Sequence, residues 1–140
     1  MTMRPRRWSV VFVAALGLVA ASCGGDGGGV GATLDDYSIT LEESSAPAGE
    51  VTFDVTNEAE QVHEFVVLST DLAADQLPTD ENGDVDEEGD PSISVVDEIE
   101  DVEGGSEQSL TVNLDAGDYV LLCNLPGHYR QGMYTSFTAS

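Results

Sequence analysis

Asp118-Tyr-Val-Leu-Leu-Cys123-Asn-Leu-Pro-Gly-His128-Tyr-Arg-Gln-Gly-Met133 is the stretch from which the rest of the chain can be interpreted. It holds a thiol, an imidazole and a thioether, which are three possible ligands for a soft metal ion. Four residues separate Cys123 from His128, and four more separate His128 from Met133. This regular spacing suggests that the three side chains belong to one site.

The spacing has a local structural reason. The apolar run 119–122 predicts a strand that ends at Cys123. Pro126, Gly127 and Gly132 are turn-forming residues, and they predict a loop that brings the later ligands back towards the cysteine.

A fourth candidate ligand comes from a distant part of the chain. His63 is the only other histidine, and it lies in the apolar run Val62–Ser69. Taken one at a time, a buried cysteine is an inert small hydrophobe, a histidine is a satisfied core residue and a methionine is filler. Together, two imidazoles, a thiolate and a weak axial methionine are the ligands of a blue copper site. The set predicts one copper ion, cycling between Cu(I) and Cu(II).

The charge of the chain limits its partners. It has 140 residues, enough for one small domain, and a net charge of −23. Every acidic residue follows Cys23, where the only basic residue is Arg130, so this part carries about −26. Such a surface repels phosphate backbones and excludes nucleic-acid binding. It favours a cationic partner, or else reflects adaptation of the whole surface to a salty medium.

The amino terminus has the pattern of an export signal. Three arginines precede the apolar run Val10–Ala21, which is too short to span a bilayer unaided. Small residues before Cys23 resemble a bacterial lipoprotein signal, and an ordinary secretory signal is the alternative. We therefore expect a signal peptide over 1–22 and a lipidated Cys23 with a glycine-rich tether over 23–35. We expect the protein at the outer face of the cytoplasmic membrane, or in the periplasm or cell envelope.

The remainder, residues 36–140, is predicted to be an all-β sandwich. Apolar and polar residues alternate in short runs separated by turn residues.

The residues Thr70–Leu77 are expected to form one short helix capped by Thr70. Asp80–Asp90 is interpreted as a solvated acidic loop rather than a calcium site, because Val85 stands where an EF-hand needs glycine. The pattern leaves the state of 93–102 open. The predicted strands cover 37–41, 51–55, 62–69, 110–114, 118–122 and 134–139.

Three segments resemble the cupredoxin family. They are Ala46–Asn57, His63-Glu-Phe-Val-Val and the stretch from Gly117 to Met133. The ligand loop is similar to those of the longer-loop members, such as sulfocyanin, auracyanin and rusticyanin. The resemblance implies a Greek-key β-sandwich that binds one copper ion and carries single electrons. It implies that His63, Cys123 and His128 are equatorial ligands and that Met133 is the axial one.

The resemblance also assigns roles around the ligands. Asn57 resembles an asparagine that often precedes the first histidine, while Glu64 replaces the asparagine that often follows it. Glu64, Asn57 and Asn124 are the residues expected to support the ligands. The exposed edge of the site is expected at His128, with a docking patch of Leu125, Pro126, Tyr129 and Arg130, to which Met133 also contributes.

The function expected from these features is electron transfer between redox proteins or membrane redox complexes, by a monomer held to the membrane through a lipid anchor. The alternative is a copper carrier or store that delivers copper to other exported proteins. An enzyme with Cys123 as nucleophile and a histidine base is disfavoured, because no third orienting group is evident.

Overall fold

The computed structural model describes residues 29–140, and they form two packed β-sheets. The expected signal peptide and Cys23 lie outside the described residues. One sheet has the order β2-β1-β4-β7 and the other the order β3-β9-β8-β5-β6. The predicted all-β sandwich is confirmed. The strands are β1 Val30–Asp35, β2 Ser38–Leu41, β3 Ser45–Ala46, β4 Gly49–Asn57, β5 His63–Ser69, β6 Ser94–Val102, β7 Glu107–Leu114, β8 Gly117–Leu122 and β9 Tyr134–Ala139.

The first strand lies where the sequence predicted a tether. β1 pairs antiparallel with β2 and parallel with β4, so that Val30 is opposite Phe53. Val30, Ala32 and Leu34 are buried in the core, whereas the residues between them are only partly covered. The folded part therefore begins by Val30 rather than at residue 36. The glycines around this strand concealed its alternation, because glycine is depleted in strands.

The core between the sheets is organised around three phenylalanines. The ring of Phe53 lies 5.5 Å from that of Phe65 and 5.2 Å from that of Phe137, and all three are almost fully buried. Tilted and edge-on contacts of this kind add to the free energy gained from burial alone. They join β4 of one sheet to β5 and β9 of the other, and so set the positions of the strands that lead into the candidate metal site.

A second apolar cluster covers the opposite face of β5. Phe65 and Val67 point into the main core, whereas Val66 and Leu68 belong to the second cluster. The covering residues include Leu77, Val85 and Ile93, which come from the connection between β5 and β6. The acidic connection is therefore a packed layer on the sheet and not a freely solvated loop.

The helix predicted over Thr70–Leu77 does not form. The hydroxyl of Thr70 accepts a hydrogen bond from the Leu72 amide at 3.1 Å and donates one to the Ser92 carbonyl at 2.9 Å, so it caps a turn. A helix of eight residues is marginal by itself, and the burial of Leu77 against the sheet decides the path instead. Within residues 29–140 the only helical segment is a 3₁₀ turn at Tyr129–Gln131, and no helix is long and apolar enough to cross a membrane.

The stretch that the sequence left open is a single long edge strand, β6. It pairs with β5, with shifts in register between His63 and Phe65 and between Val67 and Leu68. Most of its side chains are exposed, and only Val102 is fully buried. Charged residues on an edge strand discourage pairing with other chains. The same charges weaken the apolar alternation by which a strand is recognised in the sequence.

Candidate metal centre

His63 is the first residue of β5, at one end of the sandwich. Its side chain is fully buried, and its Cα pairs with Val102 of β6. The loop before it is held by Asn57, which is also fully buried. Nδ2 of the Asn57 side chain donates hydrogen bonds to the carbonyls of Gln61 and Val102, both at 2.8 Å, and its Oδ1 accepts one from the Ala59 amide at 3.0 Å. Asn57 therefore determines where the chain enters β5, and with it the position of His63.

The loop after β8 carries the other candidate ligands. The amide of Cys123 donates to the Met133 carbonyl at 3.1 Å, and the Met133 amide donates to the His128 carbonyl at 3.2 Å. Gly127 and Gly132 have φ angles of 82° and 97°, a left-handed conformation that favours glycine. These two turns return the chain, so that Met133 leads into β9 beside Cys123, as the sequence predicted.

Three ligand atoms converge between these segments. Nδ1 of His63 lies 3.3 Å from Nδ1 of His128, and the Sγ atom of Cys123 lies 3.8 Å and 3.3 Å from the same two nitrogens. The centre of a triangle with these sides is about 2.0 Å from each corner, close to the distance at which imidazole nitrogens bind first-row metals such as zinc. The three side chains thus form a cluster of metal-ligand atoms in which one small transition-metal ion fits.

The chemistry of these atoms also favours a metal. Each neutral imidazole carries one ring proton and the thiol carries one, so these groups cannot satisfy all the lone pairs that face each other. The Glu64 amide donates to Cys123 Sγ at 3.3 Å, as is expected for a thiolate ligand. Nε2 of His63 is buried and has no hydrogen-bond partner, so the ring is oriented by packing rather than by an acceptor.

Burial controls the protonation of the three groups. It lowers the pKa of His63, with a further lowering from His128, and it lowers the pKa of His128 despite the opposing charge of Asp84. Both rings are therefore held in the neutral form that binds metals. Burial raises the pKa of the Cys123 thiol, which must lose its proton to become a ligand.

Met133 is the residue that the resemblance to cupredoxins implies as the axial ligand. Its side chain is fully buried and belongs to the same core cluster as Cys123. Its backbone is hydrogen-bonded to both Cys123 and His128. Because it has no exposed surface, Met133 does not contribute to the docking patch predicted around His128.

The other predicted docking residues divide into two groups. Pro126 and Arg130 are exposed, and Leu125 is half-buried. Tyr129 is only 6% exposed, so its assignment to the docking patch is wrong. Its hydroxyl donates to the Ala74 carbonyl at 2.9 Å, and its ring packs on Tyr134. The aromatic residue turns inwards because the β5–β6 connection offers it an apolar layer and a hydrogen-bond partner.

One residue beside the site was missed. Tyr37 has a φ of 59°, and its ring lies edge-on to the His128 ring with centroids 5.2 Å apart. The alternation of apolar residues predicts that Tyr37 lies on a strand with Ile39 and Leu41, whereas it occupies the turn between β1 and β2. A left-handed conformation is rare for a bulky residue and is not visible in a pattern of apolar residues.

Glu64 and Asn124 also adjoin the ligands. Burial, together with the charges of Glu87 and Glu98, raises the pKa of Glu64 to about 7. The Asn124 side chain binds the backbone of Val85 through both its oxygen and its nitrogen, at 2.8 and 3.0 Å. Asn124 thus links the ligand loop to the β5–β6 connection.

Comparisons with known proteins agree with this geometry. Residues 44–140 match the family described as the sulfocyanin (SoxE) domain. No curated protein sequence matches the chain significantly. Among solved structures, the chain is similar to a reduced auracyanin from the photosynthetic bacterium Roseiflexus castenholzii, with 19% identity and a TM-score of 0.59 over 79% of this chain and 94% of that one.

Two further structures share the fold. Auracyanin B is 20% identical with a TM-score of 0.55, over 80% of this chain and 88% of that one. Reduced rusticyanin is 20% identical with a TM-score of 0.55, over 79% of this chain and 77% of that one.

Proposed function

The chain belongs to the sulfocyanin (SoxE) domain family of cupredoxins, and we propose that it is an exported one-electron carrier that holds copper between His63, Cys123, His128 and Met133. Cupredoxins are blue copper proteins that carry electrons and are not enzymes. The observation that carries the ligand assignment is the triangle of two Nδ1 atoms and one Sγ atom, with sides of 3.3 to 3.8 Å.

The protein's own task is to present these donors in a fixed arrangement. When bound, copper supplies a one-electron couple that thiolate, thioether and imidazole donors support in both oxidation states. His63 and Cys123 are fully buried, so the protein excludes bulk water from most of the site. The backbone bonds among Cys123, His128 and Met133 keep the loop in one conformation, which limits rearrangement of the donors when an electron arrives or leaves.

His128 is the proposed point of electron entry and exit. It is the only half-buried member of the cluster. Near it in the chain lie Leu125, which is half-buried, and Pro126, which is exposed. The half-buried ring of Tyr37 contacts it in space. This small apolar surface is set in a strongly acidic one, with Asp36 next to Tyr37 and Asp84 next to the ligand loop. We therefore expect redox partners, or membrane redox complexes, with positive charges around an apolar centre.

Export and anchoring are proposed from the amino-terminal residues. The arginines at positions 4, 6 and 7, the apolar run Val10–Ala21 and Cys23 support a lipoprotein signal. Diacylated Cys23 would hold the domain at the membrane surface, since two acyl chains give stable anchoring. In the source cell, Cys23→Ala should move the protein from the membrane to the soluble fraction, whereas Cys123→Ser should leave it on the membrane.

The test of the proposed function is an optical and EPR spectrum of the domain loaded with Cu(II). We expect an intense blue band from the Cys123 sulfur and reversible one-electron cycling. Cys123→Ser, a nearly isosteric change, should abolish the colour, whereas Met133→Leu should retain it and shift the reduction potential. A colourless protein that takes up only Cu(I) would instead identify the alternative, a copper carrier or store.

A further inference from the structure

The connection between β5 and β6, residues 70–93, contacts the ligand loop at three residues that each adjoin a proposed ligand. Asn124 follows Cys123, Gly127 precedes His128 and Tyr129 follows it. All three are bonded to the connection: Asn124 to Val85 and Glu87, Gly127 to Asp84, and Tyr129 to Ala74 and Leu77. Within residues 29–140, the side chains of Asn124 and Tyr129 form hydrogen bonds only with this connection.

The contact nearest to His128 is made by Asp84. The Gly127 amide donates to Asp84 Oδ1 at 2.7 Å, a short bond to a charged acceptor. Gly127 has a left-handed backbone, so the direction of its amide determines how the chain turns into His128. Fixing this amide therefore fixes the backbone from which the exposed ligand projects.

Asp84 is itself held in place by its own turn. The Asp80 amide donates to the Asp84 carbonyl at 2.8 Å, and the Asp84 amide donates to Asp80 Oδ1 at 3.1 Å. A bridge between Thr79 and Val85 closes the turn, and Val85 is buried beneath it. The carboxylate is thus presented from a rigid, packed element, as is required of a group that positions another.

We propose that Asp84 is a positioning residue for His128, which it holds through the Gly127 amide. The proposal rests on the proposed function only in taking His128 as a copper ligand. The acidic connection then supports the backbone of the metal centre. Asp84 acts through its hydrogen bond to the Gly127 amide rather than through its negative charge. His128 and Gly127 remain ordered before copper arrives, so the site is prepared for the ion.

Three variants separate the bond from the charge. Asp84→Ala removes both. Asp84→Asn removes the charge and keeps an oxygen that can accept the Gly127 amide. Glu81→Ala removes one charge from the exposed part of the same turn, where the side chain makes no hydrogen bond to the ligand loop.

The first measurement is hydrogen exchange of the Gly127 amide in the copper-free protein, followed by NMR. Asp84→Ala should speed this exchange about tenfold, the size expected for loss of one hydrogen bond. Asp84→Asn and Glu81→Ala should stay within about threefold of the wild type, because both keep an acceptor for the amide. Unchanged exchange in Asp84→Ala, or an equal change in Glu81→Ala, would overturn the proposal.

The second measurement is the EPR spectrum of the copper-loaded proteins. Asp84→Ala should change the copper hyperfine splitting and broaden the spectrum, while Asp84→Asn should restore the wild-type spectrum. Equal spectra in all three variants contradict the positioning role. Because the exchange experiment needs no copper, its result is independent of the proposed function, which fails separately if the wild-type protein binds no copper or gives no blue band.

Discussion

The Nδ1 atoms of His63 and His128 lie 3.3 Å apart, although 65 positions separate the two residues in the chain. Burial lowers the pKa of each imidazole, so neither ring is favoured to carry a second proton. Two neutral imidazole nitrogens this close together can bind one cation, and Cys123 adds a third ligand atom.

Copper binding should release about one proton at pH 7. The two imidazoles are already neutral, whereas burial raises the pKa of the Cys123 thiol and keeps its proton on. At pH values where both imidazoles are neutral, copper affinity should therefore rise about tenfold per pH unit until the pKa of the thiol is reached. Calorimetry in buffers of different ionisation enthalpy measures the released proton. Cys123→Ser should release none, and an equal release from that variant would show that the proton comes from another group.

Asn57 should be essential for the stability of the copper-free fold. Asn57→Ala leaves the buried Val102 carbonyl, the partly buried Gln61 carbonyl and the Ala59 amide without their partners, which should lower the free energy of unfolding by about 2–4 kcal/mol. Asn113→Ala, at an exposed position on β7, is the matched control and should change it by less than about 0.5 kcal/mol. Denaturant unfolding measures both. Equal losses would mean that the buried hydrogen bonds of Asn57 contribute little.

Tyr37 should be held in a strained backbone conformation, and its ring should shield His128. Tyr37→Gly and Tyr37→Ala both remove the ring, but only alanine keeps a side chain at a φ of 59°. The glycine variant should be the more stable by up to about 1 kcal/mol, because glycine adopts this conformation without strain. Thermal unfolding compares the two. In both variants, His128 of the copper-free protein should react faster with diethyl pyrocarbonate, and an unchanged rate would show that the ring does not shield it.

Glu64 should make the copper-free protein more stable in mild acid. Its pKa is raised from 4.5 to about 7, so the folded state binds this proton more tightly than the unfolded state does. The contribution is fully present below pH 4.5 and is lost as the pH rises to about 7. Glu64→Gln should therefore gain stability relative to the wild type across this window and keep the gain above it. A constant difference between pH 4 and pH 8 would refute the assignment.

The acidic surface should govern the rate of electron exchange. From Cys23 onwards the chain carries 27 acidic residues and one arginine. Oxidation or reduction by a cationic ruthenium ammine complex should slow as salt is added, and that by ferricyanide should speed up, because salt screens attraction and repulsion alike. Stopped-flow measurements of the blue band follow both reactions. The same salt dependence for both reagents would mean that charge does not steer the encounter.

The sequence was most informative where structure depends on neighbours along the chain. Alternating residues predicted β4, β5, β7, β8 and β9, and the turn-forming residues around Gly127 predicted the return of the ligand loop. The side chains of His63, Cys123 and His128 were recognisable as one set because the identity of a residue determines which ligand atom it can offer to a metal. In the folded chain their ligand atoms lie within 4.8 Å of one another.

The tertiary structure decided which surfaces meet. It made a strand of Val30–Asp35 by pairing it between two others, and it drew Leu77 onto the sheet in place of the expected helix. It turned Tyr129 inwards, brought Tyr37 against His128 and placed Asp84 on the Gly127 amide. Each of these contacts joins segments that are remote in the chain. The free energy of these contacts comes from burial and hydrogen bonds between those segments. It cannot be predicted from the pattern of residues within one segment.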